Sequence, residues 1–174
     1  ECDSSWPSCH GDNSDLPSIL SMVHNAVSLD KKYLDERAIL REPERYMTGF
    51  NRLLYAKEDL VDIESTTSVV GECGFILVCD VIFEQAQKAW VVIGNTDAFQ
   101  IYLNGECCIS KDEHFLWTPF NNAFIGQFQK GRNRLMIKLL KRTDLLKFSL
   151  GLKEYNEKHY HQSFWLDDLT YEVI

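Results

Sequence analysis

The stretch Phe99-Gln100-Ile101-Tyr102-Leu103-Asn104-Gly105-Glu106-Cys107-Cys108-Ile109-Ser110 decides the fold. On an extended chain Phe99, Ile101 and Leu103 point one way, and Gln100, Tyr102 and Asn104 the other. Asn104-Gly105 then supplies the two residues of positive φ that a type I′ turn needs, which makes Cys107–Ser110 the return strand. Outward from this hairpin the same period of two recurs. In Gly74–Phe83, Phe75, Leu77, Cys79, Val81 and Phe83 share a face. Ile76, Val78 and Ile82 make the other face apolar too, which predicts a central strand. Ala89, Val91 and Ile93 alternate with Trp90 and Val92. Phe124 and Phe128 mark a further strand, and Lys130-Gly131-Arg132-Asn133 turns the chain into Leu135, Ile137 and Leu139. Thr143-Asp144 turns it again into Leu146, Phe148, Leu150 and Leu152. Sustained alternation, broken by turns and not by helices, predicts a mainly β protein: an antiparallel jelly-roll β-sandwich.

The first quarter of the chain follows another pattern. Residues 1–13 are polar and read as a tail. Leu16, Ile19, Leu20, Val23 and Val27 then fall on one stripe of a 3.6-residue period, with Pro17 in the first turn. A second helical stretch is expected around Asp30–Leu40, ending before Pro43. The expected organisation is a polar tail and helical extension or linker over residues 1–45, and the sandwich over 46–174.

The chain has 174 residues, 45% hydrophobic and 25% charged, a balance that suits one globular domain with a core. Its formal net charge of -8 repels phosphate backbones, so nucleic acid is not an expected partner. No stretch approaches the roughly 20 apolar residues of a membrane-spanning helix, so no membrane partner is expected either. One segment departs from the acidic average. Lys130, Arg132, Arg134, Lys138, Lys141, Arg142 and Lys147 face a single acid, Asp144, and read as the solvated outer face of a hairpin, with an anion-binding patch as the alternative. The chain begins at Glu1 without an initiator Met, so a processed chain or a piece of a longer protein is expected.

The cysteines give no strong disulfide pattern. Cys73 and Cys79 are too far apart along one strand to pair, vicinal Cys107 and Cys108 rarely bond each other, and Cys2 and Cys9 could close a small loop. A zinc site at Cys2, Cys9 and His10 lacks a second ligand pair. Cys107 and Cys108 have no His nearby in sequence and are expected to be small buried apolar residues.

The segment from Trp90 to Lys153 resembles the galactose-binding-like jelly rolls found beside catalytic domains in glycoside hydrolases and related enzymes. Those modules show a short loop carrying an Asp, a strand ending in an apolar residue followed by Asn-Gly, and a later Lys-Gly-x-Asn turn. Here the corresponding residues are Asn95-Thr96-Asp97, Ile101-Tyr102-Leu103-Asn104-Gly105 and Lys130-Gly131-Arg132-Asn133. The resemblance implies a fold and a sugar-related setting. A ligand must be argued from a site.

Sugar binding needs an aromatic platform for the ring face, with amides and carboxylates for the hydroxyls. The 110–122 loop offers Asp112, Glu113, His114, Phe115, Trp117, Asn121 and Asn122, and Tyr102 and Asn104 project from the polar face of their strand. The candidate rim is therefore Tyr102, Asn104, His114, Trp117 and Asn121. The competing reading makes Phe115 and Trp117 cover the end of the core, and pairs Tyr102 and Asn104 across strands. Asp97, Asn104, Gly105, Gly131 and Asn133 are expected to shape the turns. His159-Tyr160-His161 places two imidazoles on one side of an extended chain, a metal-ligand geometry that lacks the Glu a cupin would add. No nucleophile elbow, P-loop, dinucleotide fingerprint or zinc-protease motif is present in the sequence, so no cofactor or metal is expected.

The leading expectation is a non-catalytic accessory module of a larger glycan- or glycoside-processing protein, which braces a neighbouring domain or binds a ligand. The alternatives are a self-standing carbohydrate-binding module and a small metal-dependent enzyme using His159 and His161.

Overall fold

The computed structural model describes residues 18–24, 26, 28–32, 35–46, 52–53, 56–57, 60–61, 71–143, 145–166 and 169–172. Among them the strands run β1 Ser18–His24, β2 Arg52–Leu53, β3 Ala56–Lys57, β4 Leu60–Val61, β5 Cys73–Phe83 and β6 Gln87–Asn95. Then come β7 Phe99–Leu103, β8 Glu106–Lys111, β9 Asn122–Phe128, β10 Gly131–Lys141, β11 Phe148–Glu154 and β12 Thr170–Glu172. One helix, α1, spans Glu36–Arg41. The strands form two antiparallel sheets. The seven-stranded sheet runs β2-β1-β5-β10-β7-β8, with β12 also paired to β5, and the five-stranded sheet runs β3-β4-β11-β6-β9.

The alternation seen in sequence is the register of this sandwich. Leu135, Ile137 and Leu139 of β10 lie opposite Cys79, Leu77 and Phe75 on one side, and opposite Leu103, Ile101 and Phe99 on the other. These rows face Val91, Ile93, Phe148, Leu150 and Leu152 of the second sheet in one continuous core. Strand β5 is central, as its doubly apolar pattern predicts. Its outward residues Ile76 and Val78 are buried beneath Ile39 of α1, and Ala26 and Leu29 cover Ala98 and Leu140.

The turn chemistry places the hairpins. Asn104 and Gly105 have φ of 51° and 89°, and Gly131 has φ of 88°. The two turns are tied together through Asn133. Its Oδ1 accepts from Gln129 N (2.8 Å) and Asn104 Nδ2 (3.0 Å), while its Nδ2 donates to the carbonyls of Gln129 and Gly131. The buried Asp97 carboxylate accepts from Ala98 N, Arg142 N and the Arg142 guanidinium at 2.6–2.9 Å, locking the loop before β7 to the end of β10.

Three expectations need correction. The stripe from Leu16 to Val27 predicts a helix, but Ser18–His24 is a strand paired with Cys73–Val78 of β5. Backbone groups along that edge of β5 need partners, and β1 supplies them, which outweighs a local period. A register shift between Ile19 and Ser21 breaks the alternation that would have announced the strand. Among the described residues of this region the α-helix is α1, which overlaps the second predicted stretch, and a short 3-10 turn at Pro43–Tyr46 follows it. The basic run from Lys130 is not a uniformly solvated face. Arg134 grips Asp80 through two bonds of 2.7 and 2.6 Å, and Lys138 is buried with its Nζ on Glu36 Oε1 (2.7 Å), Leu29 O (2.7 Å) and Lys31 O (2.9 Å). Finally, Cys107 and Cys108 are exposed on the edge strand β8, where a register shift opposite Ile101 and Tyr102 turns them outward. Cys73 and Cys79 are free and buried, and burial together with Asp80 pushes the Cys79 thiol up to about 12. The readings placed on Cys2, Cys9 and His10 lie outside the described residues.

Candidate functional site

The candidate rim does not assemble. Tyr102 lies on the outer face of the seven-stranded sheet, beside α1, with its hydroxyl 3.4 Å from Glu36 Oε2 and Gln100 Oε1. Burial, and then the Glu36 charge, push its pKa up to about 12, so it serves as a donor there. Asn104 is engaged in the turn network, its Oδ1 accepting from Arg134 N at 2.9 Å. The 112–121 loop is anchored at the other end of β7, where Phe115 N donates to Thr96 O and Arg142 pairs with Asp112. The five residues of β7 separate the two groups by roughly 16 Å.

Of the candidate rim residues in the loop, His114 is exposed while Trp117 and Asn121 are engaged. Asn121 Oδ1 accepts from Thr118 N (2.7 Å) and Thr118 Oγ1 (2.6 Å), and its Nδ2 donates to the carbonyls of Asn95 and Leu116. Trp117 is half-buried against Gly94, where a Cβ would lie 2.7 Å from the indole Nε1 and 2.4 Å from Thr118 O. The glycine exists so that this loop can lie flat on the five-stranded sheet. Trp117 covers the sheet.

A different cleft gathers the chemistry that a sugar needs. It has a volume of about 550 Å³ and is lined by Glu84, Gln85, Gln87, Glu154 and Trp165 over an apolar floor of Ile82, Phe83, Leu166 and Leu169. Glu84 and Gln85 sit in the β5–β6 turn, Gln87 opens β6 and Glu154 ends β11. Trp165 is held by a backbone bridge to Lys153, flanked by Glu154 N to Phe164 O (2.9 Å) and Leu166 N to Leu152 O (3.0 Å). The stacked pair Phe83–Phe128, with centroids 4.4 Å apart, closes the core beneath.

Behind Trp165 lies an aromatic brace. Lys153 Nζ is 4.4 Å from the Trp165 centroid and 5.1 Å from that of Phe120, and the two rings are 6.0 Å apart. The ammonium and Phe120 both pack against the indole, which also lines the cleft. Lys153 is buried, its Nζ donating to Tyr160 O (3.2 Å), and among the described residues it has no carboxylate partner. Desolvation holds its pKa below the usual lysine range. Trp90, Tyr155 and Tyr160 extend the cluster across the outer face, and the Tyr160 hydroxyl donates to Phe120 O.

His159 and His161 belong to this brace. Their rings stack at 4.8 Å, and His159 Nδ1 accepts from His161 N. The His161 pKa is pushed down, first by desolvation, then by His159 and Lys153. Among the described residues no three His, Cys, Asp or Glu side chains gather within metal-binding range.

Sequence reasoning reached His159 and His161 and missed the cleft they support. Glu84, Gln85 and Gln87 are 67 to 81 positions from Glu154 and Trp165, and the pairing of β6 with β11 and the bridge from Lys153 to Trp165 bring them together.

No family model matches the sequence, and no curated protein matches it significantly. Among solved structures the chain is similar to a β-glucosidase from Kluyveromyces marxianus in complex with glucose, at 12% identity over 90% of this chain and 17% of that one, with a TM-score of 0.53. A selenomethionine-labelled β-glucosidase from the same organism gives 9% identity, 81% and 16% coverage and a TM-score of 0.51. The PA14 domain of the MpAFP antifreeze protein is similar at 14% identity over 56% and 50% of the two chains, with a TM-score of 0.45. The likeness to the β-glucosidase is one of fold, and this chain spans about one sixth of it.

Proposed function

We propose that this chain is a non-catalytic accessory β-sandwich of a carbohydrate-processing protein, and that its Trp165 cleft holds a neutral sugar. The observation that carries the reading is the cleft itself. One indole, two carboxylates and two glutamine amides converge on a volume suited to a sugar unit or two. The indole accepts the apolar face of a pyranose, carboxylates accept from its hydroxyls, and amides do both. The β-glucosidase similarity supports the setting, because there this kind of sandwich is part of a much longer chain. The galactose-binding-like resemblance is the finer form of the same reading. Glu84 and Glu154 are exposed on the rim, not in the dry apolar site in which a glycosidase keeps its acid protonated, which favours binding over hydrolysis.

The test is a calorimetric titration with glucose, galactose, xylose and cellobiose, carried out on the protein and on Trp165→Ala. Binding is expected in the millimolar range and absent from the variant; unchanged binding by Trp165→Ala would remove the cleft as the site. A bracing role is the second reading. Leu116 is 90% exposed and Phe164 78% exposed on the two loops that cover the five-stranded sheet, apolar surface of the kind a neighbouring domain covers. No binding of any of these sugars would leave bracing as the function.

A further inference from the structure

A second cleft, of about 570 Å³, opens between α1 and the β7–β8 turn. Four guanidinium groups line it in a chain whose formal net charge is -8. Arg37 and Arg41 sit four residues apart on α1, one above the other, and Arg132 and Arg134 are alternate residues of β10. Asn104 and Gly105 form the facing wall.

The four arginines are not equivalent. Arg134 is fixed by its two bonds to Asp80, and its Nη1 donates to Leu40 O at 3.0 Å, which ties the end of α1 to the sheet. Arg132 Nε is 3.6 Å from the same carboxylate, with a side chain 60% exposed. Arg37 and Arg41 are exposed, and among the described residues neither has a carboxylate partner. Like charges at this helical spacing repel each other, so the helix gains nothing from the pair. An anion seated between them reverses that repulsion. Guanidinium forks suit it better than ammonium points, because each offers two parallel donors to two oxygens.

We propose that this cleft binds a tetrahedral oxyanion, phosphate or sulfate, with Arg37 and Arg41 as the gripping pair and Arg134 as the fixed wall. A lone inorganic ion fills little of 570 Å³, so the fitting ligand carries the oxyanion as an ester on a body of about one sugar. The proposal stands on α1 and β10 and does not depend on the Trp165 cleft.

The test titrates the full chain at constant ionic strength with glucose 6-phosphate, glucose 6-sulfate, inorganic phosphate, inorganic sulfate and glucose, following backbone amide shifts. Three variants accompany it: Arg37→Gln/Arg41→Gln, Arg37→Lys/Arg41→Lys, and Lys130→Gln as a control that removes one positive charge nearby. The expected result is binding of the sugar esters, weakened at least tenfold in the double glutamine variant. The lysine variant should fall between, and Lys130→Gln should bind as the parent does. Inorganic ions binding as tightly as the esters would identify the free oxyanion as the ligand and still support the site. Equal binding by the parent and the double glutamine variant would overturn the proposal. So would equal losses in Lys130→Gln, which mark diffuse attraction, or glucose shifting the α1 amides as strongly as its phosphate.

Discussion

Lys138→Met tests how α1 and the segment 28–32 are held on the seven-stranded sheet. The buried ammonium of Lys138 donates to Leu29 O, Lys31 O and Glu36 Oε1 at 2.7–2.9 Å. Among the described residues, removing it leaves the Glu36 carboxylate, 9% exposed, with the Tyr102 hydroxyl at 3.4 Å as its side-chain partner. Breaking a buried pair from one side costs about 3–5 kcal/mol, because the surviving charge is stranded. The two orphaned carbonyls add to this only while the segment stays down; once it lifts, water satisfies them, so about 5 kcal/mol is the ceiling. A second change, Glu36→Leu, removes the stranded charge and should restore roughly half of the loss. The remainder reflects the two carbonyls. Urea unfolding followed by tryptophan fluorescence gives the free energies, and amide hydrogen exchange over Ala26–Leu40 shows where protection is lost. A loss below about 1 kcal/mol in Lys138→Met, with exchange unchanged, would refute the clamp. The outcome bears on the basic cleft as well, since the clamp positions the helix that carries Arg37 and Arg41.

Gly105→Val puts a β-branched residue at φ of 89° and should lower stability by about 1–3 kcal/mol, read as a drop in the urea midpoint. Trp117→Ala should lower stability by about 2–4 kcal/mol by uncovering the sheet at Gly94 while leaving sugar binding unchanged; loss of binding without loss of stability would return Trp117 to the role of platform. Gly94→Ala should displace the same loop, because its Cβ meets the Thr118 carbonyl at 2.4 Å, and an unaltered Thr118 amide environment by NMR would contradict that packing. For Lys153 the folded-state pKa lies below 10.5, so the unfolded chain takes up the proton first as pH falls. Its contribution to stability is therefore greatest above 10.5 and is lost as pH falls through the folded-state value. The stability of the protein relative to Lys153→Met should rise as pH approaches 10.5 from below, and a flat difference would refute the desolvation.

The sandwich was legible because burial on one face of a strand writes itself as a period of two. Phe75, Leu77 and Cys79, or Phe99, Ile101 and Leu103, have no other reason to alternate as they do. Asn104 and Gly105 were legible for a local reason, since positive φ restricts which residues fit. Strand β1 was hidden because the edge of β5, not its own residues, dictates its state, and because a bulge disrupts its phase. The fates of the basic side chains were hidden too. Nothing near Lys138 in sequence reveals that Glu36 waits 102 positions away. The sugar cleft is the extreme case. Its residues carry no spacing signal, since Gln87 and Glu154 meet only through the pairing of β6 with β11.

The most direct test of the central claim is where a sugar sits. Crystals soaked in cellobiose at about 100 mM, far above a millimolar dissociation constant, should show a pyranose ring against Trp165 with hydroxyls on Glu84, Gln87 and Glu154. A ring on Trp117, or density nowhere while calorimetry with the same sugar is silent, would contradict the account.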